Sequence, residues 1–288
     1  MDVNLGVGEV FVGSEALAAG DLTEHVLRRW YRPIFRDVYV PKQQVATIRD
    51  RTVGAWLWSK RKAIIAGAAA SAIHGAEWVD DDATIELRLN CTRPPRGIIA
   101  RNETLADDEI CTLGGVPVTT PARTAFDLGR HLARGQALER LDALMHARPF
   151  SIEDVTLIAK RNPGARGLRQ LRELIPLVDG GAASPKESWL RLLLIDAGFP
   201  KPATQIRVVD NNGRPVRSLD MGWRDLMVAA EYDGDQHRTD RPQYVKDMRV
   251  LRKLAELGWI IIRVIKEDRD DEIIRRVHDA LTSRGWTA

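Results

Sequence analysis

Residues 226–233 form an apolar run, Leu226, Met227, Val228, Ala229 and Ala230, that closes on Glu231, Tyr232 and Asp233. A strand without polar alternation must be covered on both faces, so the chain around it has to build a sheet with helices on either side. The flanking sequence supplies those parts. Ser184, Pro185 and Glu187 make a capping-box start, and Trp189, Leu190, Leu193 and Leu194 follow at helical spacing up to Gly198, a C′ stop. Residues 203–210 and 215–222 flank Asn212 and Gly213, a strong hairpin signal. Residues 244–257 predict a helix ending at Gly258, residues 259–264 a second central strand, and residues 267–282 a last helix. The predicted order is α-β-β-β-α-β-α.

Carboxylates gather along these strands. Asp220 is placed at the end of the second strand, and Glu231 and Asp233 at the end of the third, two apart and therefore on one face. A tight turn between the strands brings Asp220 beside Glu231. Two ionised carboxylates ~4 Å apart repel by about 4 kcal/mol at an effective dielectric near 20. In a cleft such a pair must share a proton or hold a cation. Oxygen ligands favour Mg²⁺ or Mn²⁺, and such an ion lowers the pKa of a bound water. Glu187 adds a ligand, directly or through water, if its helix packs over the sheet. The other reading is turn chemistry, since Asp and Glu are common at strand ends. The polar group that follows Gly234, namely Asp235, Gln236 and His237, exceeds what a turn needs.

The opposite end of the chain has a different character. Residues 14–18 read as a short helix. A second helix, capped by Asp21 or Thr23, runs through Trp30 and is stopped by Pro33, and residues 35–40 read as one short strand closed by Pro41. This is the outline of a small winged helix-turn-helix. Arg28, Arg29, Arg32, Arg36, Lys42, Arg49 and Arg51 face only Asp37 and Asp50, with Trp30, Tyr31 and Tyr39 among them, an electrostatic footprint for phosphate backbone. A solvated helix face is the alternative. Between the two ends, residues 64–75 read as a buried helix, 84–89 as a strand of period-2 alternation and 98–101 as another. Thr120 and Pro121 open a helix, and further helices run through Leu174. His74, at a helix end, reads as a cap or core group.

The 288-residue chain therefore divides into residues 1–62, a DNA-binding winged helix-turn-helix, residues 63–178, an α+β middle domain, and residues 184–288. The Gly-rich stretch 177–185 is the best linker. The fold class is α+β / α/β multidomain. A net charge of only +3 excludes a polybasic nucleic-acid wrapper. Cys91 and Cys111 are too few for a disulfide framework, no apolar run approaches the ~20 residues of a membrane span, and the N-terminus does not look like a signal peptide. The expectation is a cytoplasmic protein.

Two resemblances add to this reading. The start of the chain, the stretch Ala70–Gly75, and the stretch Gly115–Thr124 with Asp127 resemble the antitoxin of abortive-infection, type IV toxin–antitoxin systems. That likeness covers roughly residues 5–130. It implies DNA binding by a winged helix, with a second domain serving repression or neutralisation of a toxin protein. Residues 184–266 resemble the PD-(D/E)XK nuclease superfamily, in particular its very-short-patch-repair-like endonuclease domains of actinobacterial proteins. The likeness rests on Asp220, on Glu231 through His237, on Tyr244, Asp247 and Arg249, and on Leu254 with Gly258 through Val264.

This second likeness implies a restriction-endonuclease-like αβββαβ(α) domain with a mixed central sheet. Asp220 and Glu231 match its metal-binding acids and Glu187 its helical acid. Asp233 stands where the superfamily has its lysine, and His237 and Lys246, with Gln236 as an auxiliary, are the candidates to replace it. The resulting expectation is a Mg²⁺- or Mn²⁺-dependent endonuclease acting on double-stranded DNA, positioned by its N-terminal domain. The alternative is a non-catalytic, antitoxin-like repressor that uses the nuclease fold only to bind. An RNA-directed nuclease is a third reading.

Overall fold

The computed structural model describes residues 10–234 and 241–287, with residues 241–244 as backbone only. The chain forms two compact units that meet between Val178 and Asp179. Among the described residues no helix is long and apolar enough to cross a membrane.

The first unit begins with β1 (Phe11–Val12), α1 (Gly13–Ala18) and α2 (Glu24–Trp30), the last capped by Thr23, whose hydroxyl accepts from the Val26 N–H at 3.3 Å. Residues 31–41 depart from expectation. They form a hairpin, β2 (Tyr31–Phe35) and β3 (Val38–Pro41), not a single strand, and Pro33 lies within β2 instead of stopping α2. Asp37 makes the turn with φ 61°, held there because its carboxylate accepts from the N–H and hydroxyl of Ser14. Proline is tolerated in β2 because this strand is an edge of the sheet β1-β3-β2. Helix α3 (Ile48–Trp58) follows, started by a capping box of Thr47 and Asp50.

A five-stranded sheet in the order β6-β5-β4-β8-β7 forms the middle of this unit. Its strands are β4 (Ile64–Ala66), β5 (Ile85–Arg88), β6 (Ile98–Arg101), β7 (Ile110–Leu113) and β8 (Val116–Thr119). Residues 64–75, expected to be all helix, divide into β4 and α4 (Gly67–Ile73). Gly67 makes that turn at φ 59°, where an added Cβ would lie 2.7 Å from the Glu86 carboxyl carbon. The expected alternation in β5 is absent: all four of its residues are buried, including Glu86 and Arg88. Helices α5 (Pro121–His131), α6 (Arg134–Ala147), α7 (Ile152–Arg161) and α8 (Leu168–Leu174) complete the unit. One hydrophobic core joins Phe35 and Val40 of the hairpin, Val53 and Leu57 of α3, and Ile65, Leu87 and Val118 of the larger sheet.

The second unit contains α9 (Pro185–Asp196), β9 (Ala203–Val209), β10 (Pro215–Trp223), β11 (Val228–Tyr232), α10 (Arg241–Glu256), β12 (Ile260–Val264) and α11 (Asp270–Ser283). This is the α-β-β-β-α-β-α order read from the sequence, with α11 starting three residues later than expected. The sheet order is β12-β11-β10-β9, with β12 parallel to β11 and the other pairs antiparallel. β12 is therefore an edge strand, not a central one. It reads as central because helices cover its faces: Ile262 and Val264 pack with α9 and α11, and Ile261 packs on the α10 side. Asp220 lies inside β10, three residues before its end.

Candidate functional site

The acidic residues of the second unit converge on a kink in β9 and β10. The ladder runs Ser218↔Arg207, Leu219↔Ile206 and then Met221↔Thr204, with Gln205 at φ 48° between the last two. Leu219 packs toward α10, whereas Met221, two residues on, packs toward α9 and α11. In a regular strand residues two apart share a face, so β10 changes face across Asp220. Glutamine in the left-handed region is strained, and here its side chain bridges the site. Gln205 Nε2 approaches Glu187 Oε2 at 3.4 Å, and its Oε1 accepts from the Ser218 hydroxyl at 3.0 Å.

Asp220 Oδ2 accepts from the Tyr232 backbone N–H at 3.0 Å, which ties it to β11 beside Glu231. Burial raises its pKa to about 6, assisted by the negative charge of Glu187 and opposed by the Tyr232 N–H and by Arg217. Glu231 is 3% exposed. Burial, with the charges of Asp220 and Asp233, raises it to about 7 against Arg217 and Arg263. Arg217 Nε lies 3.2 Å from Glu231 Oε1 but outside hydrogen-bond geometry, leaving that buried oxygen without a hydrogen-bond partner. Asp233 forms an ion pair with Arg263 of β12. Glu187 spends its oxygens on its own helix start, accepting from Ala183 N–H at 2.9 Å and from the Ser184 hydroxyl at 3.0 Å. Lys246 is exposed on α10. Gln236 and His237 lie outside the described residues.

The structure thus brings Glu187, Asp220, Glu231 and Asp233 into one electrostatic neighbourhood. Three further members were missed from the sequence: Arg217, Arg263 and Gln205. The two arginines sit on strands and read there as ordinary surface cations. No local signal marks Gln205, whose conformation is imposed by its neighbours.

The basic head of the first unit is less uniform than its sequence. Arg28, Arg29, Arg36, Lys42 and Arg49 are exposed. Arg28 pairs with Glu24 on the surface at 2.9 Å, and Lys42 donates to the Arg28 carbonyl at 2.6 Å, which places both cations at the end of α2. There the Arg29 guanidinium lies 5.2 Å from the ring centre of Trp30, which is 49% exposed. Arg32 is half-buried and donates to the Gln44 carbonyl, a structural use. Arg36 instead borders a cleft of about 580 Å³ with Ser14, Lys60 and Arg61.

Residues 58–177 match the AbiEi antitoxin C-terminal domain model, so this segment of the chain is antitoxin-like. Two uncharacterized proteins of Mycobacterium tuberculosis, MT2308 of strain CDC 1551 / Oshkosh and Rv2248 of strain ATCC 25618 / H37Rv, are each 32% identical over 192 residues. That span is 67% of this chain and 68% of theirs. The chain belongs to their family. No solved structure matches it. The antitoxin-like match covers the five-stranded sheet and α4 through α8, and it ends where the first unit ends.

Proposed function

We propose that the protein is an antitoxin-like, DNA-binding regulator whose basic head grips double-stranded DNA and whose middle region serves a protein partner of the toxin class. The observation that carries the DNA reading is the exposed group at the end of α2. Arg29 lies against a half-exposed tryptophan, and Arg28 and Lys42 share the same end of α2, a set of phosphate-binding cations with a flat stacking surface. The order α1, α2, hairpin supports a winged helix-turn-helix for this head. Gel shift on the DNA upstream of the protein's own gene, over a salt series, tests it. The parent should lose affinity steeply with salt, and the double variant Arg28→Ala, Arg29→Ala should lower the log–log slope by about two. An unchanged slope would remove these residues from the interface.

A second reading is favoured by the orphaned oxygen of Glu231 and its raised neighbour Asp220. The α-β-β-β-α-β order, with β12 parallel to β11, supports a restriction-endonuclease-like scaffold of the PD-(D/E)XK kind. Asp220 and Glu231 are oxygen donors whose buried charges a divalent cation would compensate, so the pair fits Mg²⁺ or Mn²⁺. Glu187 is occupied by its cap, and among the described residues no group of three acidic, histidine or cysteine side chains is placed to hold an ion. When bound, such an ion supplies a water of lowered pKa and neutralises phosphoryl charge. Asp233 and Arg263 together replace the motif lysine with a guanidinium held by a carboxylate. Calorimetric titration with Mn²⁺ and plasmid cleavage, each with the parent and with Glu231→Gln, test this reading. Binding and nicking lost in the variant support an endonuclease. Identical behaviour of the two leaves the binder alone.

A further inference from the structure

A second charged constellation lies in the antitoxin-like unit, apart from the basic head and the acidic site. Arg123, Asp127 and Arg130 are spaced i, i+4, i+7 along α5 and share a face, and Arg88 reaches them from β5. Asp127, fully buried, binds all three arginines: Arg88 at 2.5 Å, Arg123 at 3.2 Å and Arg130 at 3.1 Å. Arg123 also pairs with buried Glu109. The third carboxylate is different in kind. Glu103 sits on the segment between β6 and β7 that has no regular structure, and its side chain is 39% exposed. A single oxygen of Glu103, Oε2, receives Arg88 at 3.2 Å and Arg123 and Arg130 at 3.0 Å. Its other oxygen lies 3.9 Å from His131 Nε2.

Three guanidiniums converging on one oxygen of a partly exposed side chain form an oxyanion site, here filled by the chain's own carboxylate. Glu103 fills it incompletely. All three guanidinium nitrogens of Arg88 and the Nε–H of Arg130 are buried without a hydrogen-bond partner, so Arg88 meets Asp127 and Glu103 at ion-pair distance but outside hydrogen-bond geometry, and a planar carboxylate with two oxygens cannot reach every donor around it. A tetrahedral oxyanion with four oxygens and up to two charges suits the same donors better. One ring assists: the Arg130 and Arg123 guanidiniums lie 4.3 and 5.0 Å from the Phe126 ring centre, which holds both in place.

We propose that Arg88, Arg123 and Arg130 form a phosphate-monoester binding site that Glu103 occupies as a displaceable internal competitor. Displacement releases the 102–106 segment from its hold on α5, so phosphate binding would be read out at that surface. The inference stands independently of both functional readings above.

Isothermal titration of the full-length protein with inorganic phosphate, at constant ionic strength against chloride, tests the site. A tethered carboxylate competes at an effective concentration in the millimolar range or above, so Glu103→Ala should bind phosphate at least about tenfold more tightly than the parent. Adding Arg130→Met to that variant should abolish the gain. Equal affinity in parent and Glu103→Ala, or a gain that survives Arg130→Met, overturns the proposal. If Glu103→Ala does not fold in chloride, recovery of folding by it or by Glu103→Gln in phosphate supports the site, and failure of both to recover overturns it. Parallel titrations with a nucleoside monophosphate and with an oligonucleotide with and without a 5′-phosphate identify which source of the group is preferred.

Discussion

The two units bury carboxylates in opposite ways. In the antitoxin-like unit Asp127 and Glu109 are each met by arginine, and Glu86 is met by Arg101 at 2.6 Å. Burial alone would push Glu86 up, but the nearby His131 ring and the hydrogen bond from Arg101 outweigh it and hold it at about 2. In the second unit half-buried Asp220 and buried Glu231 lie beside each other with one poorly aligned arginine, and both rise. In the first arrangement each of these three carboxylates is neutralised within the chain. The second carries negative charge that the chain does not neutralise, which is the electrostatic condition of a site awaiting a proton or a cation. Burial by itself therefore says little about function; the match between charge and partner separates scaffold from site.

The comparison would break first at Asp127. Replacing it with asparagine removes the one fully buried charge shared by three guanidiniums, leaving them Glu103 and, for Arg123, Glu109, and should cost about 3–5 kcal/mol in denaturant unfolding. Glu231→Gln removes an unmatched charge and should leave the second unit at least as stable as the parent at pH 8. Hydrogen exchange read separately for residues 10–178 and 179–287 measures both, and similar losses in the two variants would erase the distinction.

The next effect is in pH dependence, where the buried carboxylates of the two units have opposite signs and different windows. Asp220 and Glu231 have native pKa values above those of the unfolded chain, so the native state holds the extra protons. Their stabilising contribution is complete below about pH 4 and is lost as pH rises through about 6 and 7. Glu86 has the reverse sign: its contribution is present above the ordinary glutamate range and is lost as pH falls toward about 2. Protection of the second unit should thus fall between pH 5 and 8 while that of the first stays level. Millimolar Mg²⁺ should restore the second unit at pH 8 if the pair holds an ion.

Smaller still is Gly67→Ala. It forces a Cβ toward Glu86 at a left-handed position and should cost about 2 kcal/mol in the first unit only. The smallest effect belongs to Glu24→Ala, which removes an exposed ion pair whose partners are 81% and 70% accessible. Thermal unfolding should change by less than about 0.5 kcal/mol, while DNA affinity at low salt should rise because Arg28 is released.

Much of the second unit was legible because its signals are local. Ser184 caps α9, Asn212 and Gly213 turn the hairpin, and Gly198 and Gly258 end their helices, all as the residues predict. The adjacency of Asp220 and Glu231 followed from strand order and a short turn. The first unit was harder. Its buried arginines use a residue type that normally marks surface, so Arg88, Arg123 and Arg130 carried no sign of burial. The hairpin at 31–41 was hidden by Pro33, which suggests a helix stop in a place where an edge strand also accepts it.

What the sequence determined on its own is the order of elements in the second unit, the caps and turns that bound them, and which strands are apolar enough to need cover on both faces. Those properties depend on interactions within a few residues of one another. Tertiary structure alone decided that β12 is an edge, that β10 changes face at Asp220, that Gln205 is strained across the acidic group, and that Glu103 meets three arginines of which the nearest is 15 residues away. Charge pairing across such separations is set by how helices and sheets pack, and burial then decides whether each carboxylate finds a partner or remains unmatched.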